Sequence, residues 1–163
     1  MELLQTLVLS LLLALAIRAF VAESFVVQGH SMEPTLHHGE RVLVFKLSYR
    51  WRAPRPGEIV VFRPPQQPGG EYIKRVIAGA GSTVWLEDGR VYRDGHPVPE
   101  PYVTFPDRAD LPPTEVPPGT VFVLGDNRPS SYDSRSFGPV PVDRLDGRAV
   151  LVYWPVWRIR WLR

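Results

Sequence analysis

The sequence contains no cysteine, which excludes disulfides, thiolate metal sites and a cysteine nucleophile. Lysine is also scarce, since the 19 Lys and Arg residues include only Lys46 and Lys74. The net charge of +2 is too small to argue for nucleic acid as a partner. No basic stripe with interleaved aromatic residues lies in the middle of the chain, so we expect no nucleic-acid binding.

The scarcity of lysine makes both lysines informative. An arginine guanidinium cannot lose its proton in a protein, whereas a desolvated ammonium can become a neutral base. Lys74 lies between Ile73 and the apolar pair Val76-Ile77, where a strand would hold the amine against apolar groups and lower its pKa. Lys46 is expected on the solvent face of a strand. Lys74 is therefore the candidate for proton transfer, with chance survival of two lysines as the competing interpretation.

A predominantly apolar run covers residues 3–22 and is interrupted by Arg18. A helix of about 20 such residues is ~30 Å long, enough to span a bilayer. The run predicts a transmembrane anchor over residues 1–23, followed by one domain over residues 24–163. A cleavable signal peptide is the alternative, but the residues before the run lack Lys and Arg, and the run is long.

The rest of the chain predicts a mostly β, antiparallel domain. Asp88-Gly89 and Asp94-Gly95 predict tight hairpin turns. The 18 prolines cluster between the predicted strands, where a missing N–H interrupts no ladder. Residues 96–118 are expected to form one long Pro-rich surface segment, and no segment of the domain has helical periodicity. The predicted strands are short runs rich in β-branched and aromatic residues, at 41–47, 58–62, 72–78, 83–86, 91–92, 120–124 and 148–153.

A candidate nucleophile lies just after the apolar run, in Gly-His-Ser-Met-Glu-Pro-Thr-Leu at residues 29–36. Gly29 permits close backbone approach and Pro34 fixes a turn, so Ser31 is expected to be exposed and sharply positioned. A neutral Lys74 amine beside the hydroxyl would supply the general base that a serine nucleophile requires. Taken alone, this segment is a turn like many others.

The motif at residues 29–36 becomes specific to one family when two further blocks are considered with it. These are Tyr-Ile-Lys-Arg-Val at 72–76 and Gly-Asp-Asn-Arg-Pro-Ser-Ser-Tyr-Asp-Ser-Arg at 125–135. Together with residues 46–50, 56–62 and 117–119, they make the chain resemble bacterial type I signal peptidases (leader peptidases) over nearly its whole length. The resemblance implies a membrane-anchored serine endopeptidase that removes N-terminal signal peptides from exported preproteins after small residues, at A-x-A type sites. It also implies an antiparallel, barrel-like β domain preceded by one transmembrane helix.

The resemblance assigns the chemistry to Ser31 as nucleophile and Lys74 as general base. The backbone N–H of Ser31 would donate to the oxyanion. Some relatives carry a serine two positions earlier as a second donor, and here that position is Gly29. Loss of one such donor costs ~3 kcal/mol of transition-state stabilisation.

Other positions are assigned supporting roles by the resemblance. Ser131 matches the residue whose hydroxyl holds the lysine amine, and Asp133 and Arg135 match a pair that buttresses the site. A turn-capping serine and a surface ion pair are the alternatives. Residues 126–128 are expected to be structural. The positions that match the lining of the substrate pockets are Phe25, Val27, Met32, Leu36 and Ile73.

Two histidine alternatives follow from the residues themselves. His30 is a rival base, but adjacent strand residues point apart, which would turn it away from the Ser31 hydroxyl. His37-His38 with Glu40 match no spacing in which metal ligands converge. Neither a metal nor a cofactor is expected.

Two other functions are compatible with the sequence. One is a Ser/Lys self-cleaving protease of the repressor type, against which the anchor and the lack of a DNA-binding domain argue. The other is an inactive, membrane-tethered binding domain, against which Ser31, Lys74 and Ser131 argue.

The expected partners are signal peptides, bound as an added strand, and lipids of the cytoplasmic membrane. The resemblance places the domain on the extracytoplasmic side of that membrane, as a monomer with a single-pass anchor. Residues 153–163 contain three tryptophans and three arginines, a composition that favours a membrane interface. Packing of these tryptophans into the barrel is the alternative.

Overall fold

The N-terminal segment is a helix, α1, over Glu2–Phe20, as the sequence predicts. The structure is a computed structural model that describes residues 2–65 and 70–162. Within those ranges, no helix combines the length and the apolar character that crossing a membrane requires. The transmembrane anchor predicted over residues 1–23 is therefore not confirmed. The first strand begins at Ala22, and the division of the chain at residues 23 and 24 stays a prediction.

Short antiparallel strands are the main regular structure of the described chain after α1. They pair along two sheets, which confirms the mostly β prediction. A four-residue helix, α2 (Ser134–Phe137), was not expected. The strands are β1 (Ala22–Val26), β2 (Arg41–Phe45), β3 (Ile59–Phe62), β4 (Tyr72–Gly79), β5 (Thr83–Glu87), β6 (Arg90–Arg93), β7 (His96–Pro97), β8 (Leu111–Glu115), β9 (Thr120–Leu124), β10 (Val140–Pro141), β11 (Leu145–Trp154) and β12 (Arg160–Trp161).

The larger sheet carries the candidate site. Its order is β1-β2-β11-β3-β4-β9-β10, and β12 adds to β11. Register shifts interrupt the pairing of β11 with β2 and β3, and of β4 with β9. Such bulges bend strands and increase their twist, so the sheet curls. Within the described residues β1 and β10 do not pair, and the sheet is an open, curled half-barrel instead of a closed barrel.

The smaller sheet has the order β7-β6-β5-β8 and contains both predicted hairpins. Asp88 and Gly89 have φ values of 45° and 77°, as a two-residue type I′ turn requires. Asp94-Gly95 likewise joins β6 to β7. The Pro-rich segment 96–118 was predicted as one surface excursion, which is wrong, because β8 lies within it. Prolines are tolerated in β8 because it is an edge strand.

One apolar cluster lies beneath the loop that carries Ser31, residues 27–40, which we call the serine segment. The cluster supports this loop over the sheet. Met32 and Leu36 are fully buried there against Val42 of β2 and Val152 of β11. Leu162, at the end of the chain, belongs to the same cluster. Each fully buried aliphatic side chain contributes about 1.5–3 kcal/mol relative to an exposed one. The serine segment is therefore held by packing from below as well as by its backbone.

Candidate active site

The serine segment, residues 27–40, is a loop closed at its base. The Val27 N–H donates to the Glu40 carbonyl at 2.8 Å, and the Gly39 N–H donates to the Val27 carbonyl at 2.9 Å. Gly29 has φ +85°, a conformation that favours glycine. The closed base leaves the Ser31 hydroxyl facing a cleft while the backbone behind it is fixed.

Asn127 holds the backbone on both sides of the candidate nucleophile. Its N–H donates to the Ser31 carbonyl at 3.0 Å, and its side-chain amide donates to the His30 carbonyl at 3.1 Å. The sequence had suggested only a structural turn for this residue. Asn127 belongs to the block at residues 125–135, which directly follows β9. That position could have indicated a role at the site, because the end of β9 lies beside Ser31.

Lys74 of β4 reaches the Ser31 hydroxyl. Its Nζ lies 2.7 Å from Ser31 Oγ and donates to the Ile73 carbonyl at 3.0 Å. The amine also lies 5.2 Å from the centre of the Tyr72 ring. Only 4% of Lys74 is exposed. The amine and the hydroxyl are therefore close enough for direct proton transfer.

The buried position sets the acid–base behaviour of Lys74. Burial lowers the pKa of its amine from 10.5 to about 8, and the Asp133 and Asp126 carboxylates oppose that change. A general base works best with a pKa near the working pH. Lys46 provides the contrast, since 31% of its side chain is exposed and its Nζ lies 3.3 Å from the Glu23 carboxylate. The prediction that Lys46 lies on the solvent face of a strand is wrong, because β2 ends at Phe45 and Lys46 begins a short 3₁₀ helix over Lys46–Tyr49. Lys46 is still the more exposed of the two lysines.

Arg75 points to the other face of β4, as strand alternation requires. Its guanidinium donates to both Asp126 oxygens, at 2.9 and 2.7 Å. Asp126 Oδ2 also accepts the Thr35 hydroxyl at 2.5 Å. The buried ion pair therefore ties the serine segment to the strand that carries Lys74. Sequence reasoning missed this link, although the position of Arg75 next to Lys74 was a usable signal.

Ser131 is brought to the site, but not in the predicted way. Its Oγ is buried and makes no hydrogen bond within the described part of the chain. It faces Gly125, where an added Cβ would lie 2.2 Å from Ser131 Oγ and 2.5 Å from the Ser31 carbonyl oxygen. The expected hydrogen bond to Lys74 is therefore absent, because the hydroxyl is turned against the Gly125 backbone.

Asp133 and Arg135 form an ion pair beneath the loop that carries Ser131. The Arg135 Nε donates to Asp133 Oδ1 at 2.8 Å, and Asp133 Oδ2 accepts the Gly125 N–H at 3.0 Å. Arg135 also donates to the Arg128 carbonyl at 2.7 Å and pairs with Asp107. Asp133 is fully buried, so this is not the exposed surface pair that was the alternative.

The cleft in front of Ser31 has a volume of about 550 Å³. Of the predicted lining residues, Phe25, Val27 and Ile73 do line it. Met32 and Leu36 do not, because their side chains are buried in the cluster beneath the loop. Further residues of the lining that the sequence did not single out include Val61, Tyr72 and Tyr132.

The histidine side chains make their hydrogen bonds to groups other than Ser31 and Lys74, which together form the candidate catalytic dyad. His30 is mostly exposed and its Nδ1 lies 3.0 Å from the Glu33 carboxylate. His38 Nδ1 accepts the Gly29 N–H at 3.1 Å. Glu40 accepts the His37 N–H and hydrogen bonds from Arg160. No histidine takes the place of Lys74 beside Ser31.

Comparison with known proteins identifies the family of the chain. A sequence profile described as signal peptidase, peptidase S26, matches residues 1–154. The chain belongs to the signal peptidase family. It is 44% identical to a signal peptidase I of Leptolyngbya laminosa over 98% of this chain and 82% of that one. It is 37% identical to signal peptidase I T of Bacillus subtilis over 93% and 83% of the two chains.

A solved signal peptidase I from Enterococcus faecalis has the same fold. It is 32% identical and superimposes with a TM-score of 0.53, covering 60% of this chain and 97% of that chain. Membership of the signal peptidase family makes the protein a peptide-bond hydrolase and confirms the resemblance found in the sequence.

Proposed function

We propose that the protein is a signal peptidase I that removes N-terminal signal peptides from exported preproteins after small residues. Ser31 is the nucleophile and Lys74 is the general base. The observation that carries this proposal is the 2.7 Å contact between Lys74 Nζ and Ser31 Oγ. Burial supports it, because the pKa of the amine falls to about 8, so that a useful fraction is neutral near neutral pH.

The reaction begins when the neutral Lys74 amine takes the Ser31 hydroxyl proton and Oγ attacks the scissile carbonyl carbon. The ammonium then gives that proton to the leaving amine, which leaves an acyl ester on Ser31. A water molecule, deprotonated by Lys74, hydrolyses the ester and restores the dyad.

The Ser31 N–H is the oxyanion donor in this scheme. It donates to no protein acceptor within the described residues, which leaves it available to the developing negative charge. Gly29 offers no side-chain donor, and its own N–H is bound by His38. The Ser31 amide therefore carries the main-chain contribution to oxyanion stabilisation.

The substrate binds as an added strand beside β4. Within the described residues, Ile73 and Lys74 pair with β3 on one side, and the pairing of β4 with β9 starts only at Arg75. The other side of Ile73 and Lys74 borders the cleft, which Phe25 and Val27, at the end of edge strand β1, also line. Main-chain hydrogen bonds to such an edge do not depend on substrate sequence. The apolar walls then favour small residues at the cleavage site.

A lipid surface is a second part of the proposal. Trp154, Trp157 and Trp161 are 48%, 79% and 72% exposed, so they are not packed into the sheet. Exposed tryptophans are typical of membrane interfaces. Replacing all three with serine should reduce co-sedimentation with anionic phospholipid vesicles and leave cleavage of a soluble peptide unchanged. Unchanged sedimentation would refute the lipid contact.

The test of the proposed function is cleavage of a purified preprotein, with the product's new N-terminus read by mass spectrometry. We expect a single cut after a small residue and no cut with Ser31→Ala. An inert wild type would favour the binding-domain alternative. Cleavage that persists in Ser31→Ala would show that another group is the nucleophile.

A further inference from the structure

The end of the serine segment at Glu40 is held by β12, the C-terminal strand of the described residues. Glu40 closes the segment and is only 2% exposed. Its two carboxylate oxygens accept hydrogen bonds from the two terminal nitrogens of Arg160, at 2.9 and 2.7 Å. The carboxylate also accepts the His37 N–H at 3.0 Å. This bidentate geometry is one that a guanidinium makes and an ammonium does not.

The same guanidinium holds a second point of the serine segment. Arg160 Nη2 donates to the Thr35 carbonyl at 2.6 Å, while the Thr35 hydroxyl donates to Asp126 on the other side. Thr35 is therefore fixed between the C-terminal strand and the Arg75–Asp126 pair. Thr35 lies four residues beyond Ser31, within the loop closed by Val27 and Glu40.

The C-terminal strand is itself anchored, so it can transmit this restraint. Arg160 pairs with Val152 of β11, and the Leu162 N–H donates to the Val150 carbonyl at 2.9 Å. Leu162 is buried in the cluster that also contains Met32 and Leu36.

The charge state of Glu40 fits this arrangement. Burial raises the pKa of its carboxyl, but hydrogen bonds from Arg160 and the His37 N–H outweigh burial and hold the pKa below its usual value. The carboxylate is therefore ionised and needs a cationic partner in its buried position.

We propose that Arg160 is a positioning residue for Ser31, which holds the serine segment by binding Glu40 and the Thr35 carbonyl at once. This inference rests on the proposed function, because its effect on rate is an effect on Ser31. A displacement of about 1 Å at a reacting group can cost ~100-fold in rate. The Ser31 hydroxyl touches Lys74 at 2.7 Å, so a small drift of the loop breaks the dyad.

The test compares two variants with a matched control. Arg160→Lys keeps the positive charge but cannot make the bidentate hydrogen bonds to Glu40. Glu40→Gln combined with Arg160→Gln removes both charges, so that no buried carboxylate is left unpaired. Arg158→Gln is the control, because the Arg158 side chain is 44% exposed and, among the described residues, its guanidinium pairs only with Glu40, at 3.4 Å. Each protein is assayed for kcat and KM per folded molecule, and for amide hydrogen exchange in residues 29–40.

We expect kcat to fall about 10- to 100-fold in both Arg160 variants, with KM within threefold of wild type. Exchange in residues 29–40 should accelerate at least about tenfold relative to the rest of the sheet. Arg158→Gln should match wild type. A lower melting temperature with unchanged kcat per folded molecule would overturn the inference and leave the proposed function intact. Unchanged exchange would overturn it even if the wild type were inert, because that readout needs no substrate.

Discussion

The Lys74 amine lies 2.7 Å from the Ser31 hydroxyl, although 43 positions separate the two residues. The contact depends on the alternation of β4, which turns Lys74 toward the cleft and Arg75 toward Asp126. Arg75 and Asp126 then bind the serine segment through Thr35. Adjacent residues of one strand thus supply the base and help to hold the nucleophile in reach of it.

Cleavage should depend on pH through the neutral form of Lys74. The pKa of its amine is lowered to about 8, so kcat/KM should rise with pH, with unit slope below 8 and a plateau above. The measurement is a pH–rate profile with a short peptide substrate. A midpoint near 10.5, the ordinary value, would contradict the account of the buried amine.

Lys74→Met should abolish activity and stabilise the fold at pH 7. The folded pKa of Lys74 is below its unfolded value, so the unfolded chain binds more protons between about pH 8 and 10.5, and wild-type stability rises with pH across that window. Below it, folding buries a charge at a cost of about 1.4 kcal/mol per pKa unit. Methionine removes that cost, so we expect a gain of about 1–3 kcal/mol that shrinks toward pH 10.5. Denaturant titrations at pH 7 and 10.5 test this, and a gain equal at both values would refute it.

Gly125→Ala should lower both stability and activity. The cause is steric, because Gly125 does not have the positive φ angle that would itself favour glycine. The added Cβ would meet Ser131 Oγ at 2.2 Å and the Ser31 carbonyl oxygen at 2.5 Å. Relief requires moving the loops that carry both serines, at a cost of about 1–3 kcal/mol and most of the activity. Gly79→Ala is the matched control, since its nearest contact is at 4.0 Å. The prediction fails if the two variants have equal activity and melting temperatures.

Ile73→Ala should widen the cleft and relax the preference for small residues. Ile73 lines the cleft, whereas Leu36 is fully buried beneath the serine segment. Leu36→Ala should therefore destabilise the protein by about 2–5 kcal/mol without changing the cut site. Cleavage of a peptide set that varies the residue before the cut measures the difference. Identical profiles for Ile73→Ala and wild type would remove Ile73 from the proposed pocket.

The parts of the structure that follow local rules could be predicted from the sequence. Asp88-Gly89 and Asp94-Gly95 form hairpins because both residues of each pair adopt the positive φ angles that a two-residue turn requires, independently of distant parts of the chain. The burial of Lys74 followed from its apolar neighbours, and its pairing with Ser31 from the family's motifs. These features need only a few consecutive residues or a recognisable family motif to define them.

Features that depend on distant partners could not be predicted. The pairing of Glu40 with Arg160 joins residues 120 positions apart, and nothing near either residue indicates the other. The orientation of the Ser131 hydroxyl depends on the space left by Gly125. Met32 and Leu36 match pocket positions in sequence, but the loop turns both into the core. β8 was missed because its two prolines hide a strand that is tolerated only at a sheet edge.

The measurement that tests the central claim most directly is preprotein cleavage by Lys74→Arg beside Lys46→Arg. Arginine keeps the positive charge of each lysine and cannot act as a base. The account predicts that Lys74→Arg remains folded enough to bind substrate and cleaves at least about 1,000-fold more slowly, whereas Lys46→Arg cleaves like wild type. Cleavage by Lys74→Arg at a rate near that of wild type would show that the amine beside Ser31 is not the base.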